Sequence, residues 1–173
     1  MKKVYFLIII SVLGFIYFMP QDKEYVIPKE SIRFRVISNS NSPEDIVTKN
    51  KVRDNVQKEL VNILQGTSDI DTAKKILREN IQKVDSIVKK TLNNNDYNVN
   101  LGLNYFPVKT YRDVKYEEGL YESLVITIKE GKGNNWWCVL FPPLCLLEAE
   151  ESNTGEVEYK FFVKEIINKY LKK

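Results

Sequence analysis

Tyr97-Asn98-Val99-Asn100-Leu101-Gly102-Leu103-Asn104-Tyr105 alternates apolar and polar residues without a break for nine positions. Successive side chains of an extended strand point to opposite faces, so this pattern predicts a strand with one face buried and one wet. Downstream, Leu124-Val125-Ile126-Thr127-Ile128 is apolar on both faces, as a central strand requires. A weaker strand is predicted over Val108 to Val114, with a turn at Glu118-Gly119. Upstream, Ile32, Phe34 and Val36 share one face of a strand over Ile32 to Ile37, and Arg33 and Arg35 share the other.

Between that first strand and Tyr97 the period changes to that of helices. Ser42 as N-cap, Pro43 at the first helical position, and Glu44 and Asp45 in the first turn predict a helix running to about Leu64. Val52, Val56, Leu60, Ile63 and Leu64 form its apolar stripe, and Gly66 ends it. A second helix is predicted from near Asp71, its expected cap, to about Leu92, where Asn93-Asn94-Asn95-Asp96 stops it. Near the C-terminus, Tyr159, Phe162, Val163, Ile166, Ile167 and Tyr170 mark an amphipathic helix over about Glu158 to Leu171. The expected fold is α+β: one exported domain with a mainly antiparallel sheet, two long central helices and a C-terminal helix on one face.

Export is read from the N-terminus. Met1-Lys2-Lys3 precedes sixteen uncharged residues, Val4 to Met19, and then Pro20. This describes a signal peptide or membrane anchor over 1–21 whose C-terminal side leaves the cytoplasm. As a helix the run is about 24 Å long, slightly short for a hydrocarbon core of about 30 Å, and no small-x-small cleavage site stands out. Cleavage and retention as an anchor, with membrane contact through residues 4–19, both stay open. Residues 22–31, of mixed charge and containing Pro28, read as a linker, and 32–173 as the domain. Beyond residue 21 the chain carries 24 basic and 23 acidic residues, a balance that gives nucleic-acid binding little support.

Gly131-Lys132-Gly133-Asn134-Asn135-Trp136-Trp137-Cys138-Val139-Leu140-Phe141-Pro142-Pro143-Leu144-Cys145 contains both tryptophans and both cysteines of the chain. Paired Trp beside Phe-Pro-Pro makes a large rigid apolar surface of the kind that anchors interfaces, although a core can also take one or both rings. As a strand, Trp136 to Phe141 turns one Trp to each face. In an exported chain, Cys138 and Cys145 are expected to form a disulfide, worth about 2.5 kcal/mol in the chain-entropy model; free thiols or a bond to a partner are the alternatives.

Reactive chemistry is sparse. The chain has no histidine, which removes Ser-His-Asp and Cys-His systems and the usual zinc sites. Ser86-Ile87-Val88-Lys89 matches S-x-x-K but sits in a helical pattern, where it reads as a solvated face. Asn153-Thr154-Gly155 lacks the aspartate of an aspartic-protease motif, and Gly131-Lys132-Gly133 has too few glycines for a phosphate loop. The acidic run Glu148, Glu150, Glu151 reads as a solvated turn, with a weak calcium site as the alternative. No metal or cofactor is expected, no catalytic residue is assigned, and the chain reads as a binder rather than an enzyme.

Arg33-Phe34-Arg35-Val36-Ile37-Ser38-Asn39-Ser40, Ser42-Pro43-Glu44-Asp45, Lys51-Val52-Arg53-Asp54, Tyr121-Glu122-Ser123-Leu124 and the stretch ending at Cys145 together resemble the stage II sporulation protein R family, over roughly Ile32 to Glu148. The resemblance implies a protein made in the forespore during sporulation and exported to the intermembrane space. There it would activate a membrane-embedded aspartic protease of the mother cell, stage II sporulation protein GA, which processes the precursor of sigma factor E. The expected partner surface is Trp136, Trp137, Phe141, Pro142 and Pro143, with Arg33, Arg35, Asn39 and Arg53 as secondary candidates. Two other classes compete with this signalling role: an exported hydrolase using Ser86 and Lys89, and a protease inhibitor or envelope scaffold.

Overall fold

The computed structural model describes Tyr5, residues 25–111 and 114–144, and the helix at 156–171, with side chains of that helix from 163 to 170. The N-terminal apolar segment, Cys145, the acidic run at 148–151, the Asn153-Thr154-Gly155 triplet and the side chains of Tyr159 and Phe162 lie outside the described residues. Among the described residues no helix is long and apolar enough to cross a membrane.

The elements in chain order are β1 (Tyr25–Val26), β2 (Ile32–Ile37), α1 (Pro43–Leu64), α2 (Ile70–Glu79), α3 (Ile81–Leu92), β3 (Tyr97–Phe106), β4 (Lys109–Tyr111), β5 (Val114–Tyr116), β6 (Gly119–Ile128), β7 (Asn135–Phe141) and α4 (Glu156–Leu171). The fold is α+β with a mainly antiparallel sheet and four helices. The larger sheet has the order β3-β6-β2-β7, and the smaller one β1-β5-β4. β3 and β6 pair antiparallel from Tyr97↔Ile128 to Phe106↔Gly119, and β2 and β7 pair antiparallel through Phe34↔Cys138 and Arg35↔Trp137. Between them β2 and β6 run parallel, with Phe34 opposite Leu124. The alternation of β3 thus feeds a sheet edge, and the doubly apolar β6 lies inside the sheet, as its composition requires.

One sheet face carries Phe34, Val36, Leu124 and Ile126, which bury against Val52, Val56, Leu60, Leu77, Val84 and Val88 of the helices. Ser42 accepts the Asp45 amide as the N-cap of α1, with Pro43 in the first turn, and Gly66 follows the helix at φ +77°. On the opposite face, Val163, Ile166 and Ile167 of α4 bury with Ile27, Val114, Val139 and Leu144.

The structure departs from the sequence expectations at four points. The second long helix is two, α2 and α3, because Asn80 leaves helical geometry at ψ 8° and its side chain donates to the Ile76 carbonyl, ending one helix and starting the next. Its cap is Asp69, which accepts the Thr72 amide, rather than Asp71. The weak strand over Val108 to Val114 is instead two arms, β4 and β5, paired Lys109↔Tyr116. Within the segment read as a linker, Tyr25 and Val26 pair with β5 and Ile27 is buried.

Candidate functional site

Strands β2 and β7 lie side by side and carry most of the singled-out residues, in two places. At one end, β2 leaves the sheet as Ser38-Asn39-Ser40-Asn41 and β7 enters it from Gly131-Lys132-Gly133-Asn134. The two loops are tied by hydrogen bonds. Lys132 N donates to Asn39 O at 3.0 Å, Gly133 N to Ser38 O at 2.9 Å, and Asn134 N to Asn41 Oδ1 at 2.7 Å. Ser38, fully buried, donates to the carbonyls of Ser40 and Asn134. Asn39 and Ser40 both donate to Asp45 in the first turn of α1. These donors hold the Asp45 carboxyl below the usual carboxylate range, the Ser40 hydroxyl contributing most.

The glycines of this corner follow from its tightness. Gly131 sits at φ +63°, where a Cβ would also overlap the Thr127 side chain. At Gly133 a Cβ would overlap Ser38 Oγ and the Ser40 carbonyl, which is backbone and cannot yield. Lys49 of α1, nearly buried, reaches the Asn134 carbonyl at 3.4 Å; burial pulls its pKa down and the nearby Arg53 adds to the effect.

The second place is the face of the larger sheet turned away from α1 to α3. Alternation puts Arg33 and Arg35 of β2 and Trp137 of β7 there, and the smaller sheet lies beside them. Arg33, only 2% exposed, lays its guanidinium carbon 3.3 Å from the centre of the Tyr121 ring and 5.2 Å from that of Phe106. Its Nη2 donates to the Glu117 carbonyl at 3.3 Å, and Tyr121 Oη donates to the same oxygen at 3.0 Å. Nε and Nη1 of Arg33 are buried without a hydrogen-bond partner, as is the indole Nε1 of Trp137. Burial lowers the pKa of Arg33 and of Arg35, though a guanidinium stays charged at any physiological pH. Trp137 is ringed by Phe106 edge-on at 5.6 Å, Lys109 Nζ at 5.0 Å and the Arg35 guanidinium at 5.6 Å. A cavity of about 280 Å³ opens here, lined by Arg33, Phe106, Lys109, Tyr116 and Trp137 among others, with no carboxylate among the described residues of its wall.

The five residues expected to form one partner surface do not share a surface. Trp136 faces the helices, edge-on to Phe34 at 5.4 Å and under the Arg53 guanidinium at 5.5 Å, whereas Trp137 faces the cavity. Phe141 and Pro142 are buried, Phe141 against Tyr170 of α4, and Pro143 is half-buried. The physical reason is the two-residue period of β7 and its position under α4. Of the secondary candidates, Arg33 lines the cavity, Arg35 stands over Trp137 beside it, Asn39 belongs to the corner, and Arg53 lies on the helix side. Cys138 is half-buried and is not a free thiol.

Ser86 is exposed on α3 and donates to the Gln82 carbonyl at 2.8 Å, an ordinary surface arrangement with nothing to activate the hydroxyl. No group of metal-ligating side chains occurs among the described residues. Phe106, Lys109, Tyr111 and Tyr116 line the cavity and Tyr121 lies against Arg33, and sequence reasoning assigned none of them to a site. Of these, Tyr121 alone falls in a stretch singled out, Tyr121-Glu122-Ser123-Leu124, and that for family likeness.

Comparison with known proteins fits this geometry into a family. The model of stage II sporulation protein R (spore_II_R) matches residues 28–151, which takes in the corner and the cavity alike. The stage II sporulation protein R of Bacillus subtilis (strain 168) is 36% identical over 132 residues, covering 74% of this chain and 59% of the relative. The chain therefore spans about three fifths of the length of the curated relative it matches. No solved structure matches the chain.

Proposed function

The chain belongs to the stage II sporulation protein R family, and we propose that it is an exported signal, released from the forespore into the intermembrane space, that activates the membrane-embedded aspartic protease stage II sporulation protein GA. Activated protease then processes the precursor of sigma factor E in the mother cell. The N-terminal run, Lys2-Lys3 followed by Val4 to Met19, supports export, either as a cleaved signal or as a retained anchor.

The observation that carries a binding role is the cavity beside β7, with aromatic walls and donors that nothing in the described chain satisfies. Buried polar groups are nearly always paired, so such donors await an acceptor from outside. Within the motif, Trp137 and Pro143 meet the receptor, while Trp136, Phe141 and Pro142 hold β7 in place beneath them. A Cys138–Cys145 bridge fixes the end of the strand, which mass spectrometry after alkylation, with and without prior reduction, would establish.

A ligand activates a receptor through its higher affinity for the active state. The domain therefore binds the external region of the assembled protease more tightly than that of the unassembled one. The test is reconstitution in a non-sporulating host that co-expresses the protease, the sigma-factor precursor and this chain. Cleavage that requires this chain supports the reading. Absence of cleavage with all three proteins stable and correctly located overturns it.

A further inference from the structure

We propose that the cavity between β7 and the smaller sheet is a carboxylate-binding pocket that takes one acidic residue of a partner polypeptide. This rests on the signalling reading only for who the partner is; the pocket chemistry stands on its own geometry. Arg33 is 2% exposed, and of its three nitrogens only Nη2 has a hydrogen-bond acceptor among the described residues, the Glu117 carbonyl. A guanidinium buried without a carboxylate is costly unless something supplies the countercharge. Arg35 and Lys109 add positive charge on either side of Trp137, and neither pairs with a carboxylate among the described residues. Trp137 Nε1 is a second buried donor with no acceptor. Two cations, Arg33 and Lys109, thus line a cavity with no acid among its described wall residues, and Arg35 stands beside it over Trp137.

Size and wall character select the ligand. A volume of about 280 Å³ suits one amino-acid side chain with its backbone, and is at the small end for an independent small-molecule site. Phe106 and Tyr116 offer aromatic faces to the methylenes of such a side chain while Arg33 and Trp137 take the oxygens. Guanidinium and carboxylate are the best-matched pair of side-chain groups for this purpose. The strand Trp137 belongs to is the edge of the larger sheet, so a partner segment can approach it from the side.

The full chain, held in a zwitterionic detergent, is titrated with N-acetyl-Ala-Glu-Phe amide and with its Gln counterpart while the two indole N–H signals are followed by NMR. Trp137→Phe assigns them. The expected result is a saturable shift of the Trp137 indole signal with the Glu peptide, and binding roughly tenfold weaker for the Gln peptide. Lys109→Gln, on an exposed strand whose loss does not threaten the fold, is expected to weaken the Glu peptide severalfold. Arg33→Met, if it folds, is expected to abolish the shift. No shift, an equal response to the Gln peptide, or unchanged affinity in Lys109→Gln would overturn the pocket. Sodium acetate binding as tightly as the peptide would overturn the polypeptide as its ligand in favour of a free carboxylate. No protease takes part, so a failed reconstitution leaves this result standing, and an unmoved indole signal leaves the activation reading standing.

Discussion

The corner and the cavity of the β2–β7 pair both bury polar groups and treat them in opposite ways. At the corner where Ser38 to Asn41 meets Gly131 to Asn134, the Ser38 hydroxyl, the loop amides and the Asn39 and Ser40 side chains all find acceptors within the chain. At the cavity, Arg33 is as deeply set, and both it and the half-buried Trp137 are left with buried donors unused. Satisfied polar groups specify a shape, whereas unsatisfied ones cost stability and persist where function requires them. On the proposed reading, a motif that runs through both places is part scaffold and part recognition, and its residues separate by whether their hydrogen bonds close internally.

The largest expected effect breaks the corner. Gly133→Val drives a branched side chain into Ser38 and the Ser40 carbonyl, and is expected to cost about 3 kcal/mol or more, read as a fall in thermal midpoint or loss of soluble protein. Next comes Arg33→Met, which is expected to leave thermal stability unchanged or raise it by about 1 kcal/mol, because it removes an uncompensated buried charge. The same change is expected to reduce precursor cleavage at least about tenfold in the reconstituted host, since a charged hydrogen bond is worth about 1.5 to 3 kcal/mol. A variant that lost stability in proportion to activity would erase the distinction between the two regions.

Ser38→Ala sharpens it from the other side. Loss of the hydroxyl removes the one O–H donor shared between two backbone carbonyls and is expected to cost about 1 to 2 kcal/mol in chemical denaturation, with cleavage intact at equal protein level. The smallest effect is on pH dependence. The Asp45 pKa is lowered in the folded state, so its contribution to stability is present above the unfolded carboxylate value of about 3.9 and is lost as pH falls through the lower folded one. Asp45→Asn should flatten that acid limb of the stability curve, measured by denaturation between about pH 2 and pH 5. With no histidine in the chain, neither protein should vary much between about pH 5.5 and pH 8.

Much of the fold was legible because it is written in local periods. The alternation of Tyr97 to Tyr105, the doubly apolar Leu124 to Ile128 and the Ser42-Pro43 helix start all correspond to β3, β6 and α1. The break at Asn80 was not legible, since the apolar stripe continues across it from Leu77 to Val84 and only a side-chain bond to Ile76 reveals the stop. β1 and the β4–β5 hairpin are too short to show a period. In the site, the opposite orientation of Trp136 and Trp137 followed from strand geometry alone. That Lys109 and Phe106 would stand over Trp137 did not, because strand order and the placement of the smaller sheet decide it, and those are non-local.

The most direct test sets the two regions against each other in the reconstituted host, with protease and precursor held constant and cleavage normalised to the amount of each variant. The wild-type chain and Ser38→Ala should both trigger cleavage, and Trp137→Ala should fail to do so while remaining folded. Cleavage that did not depend on the chain, or a folded Trp137→Ala variant as active as the wild type, would contradict a signal delivered through this face and return the inhibitor or scaffold role to first place.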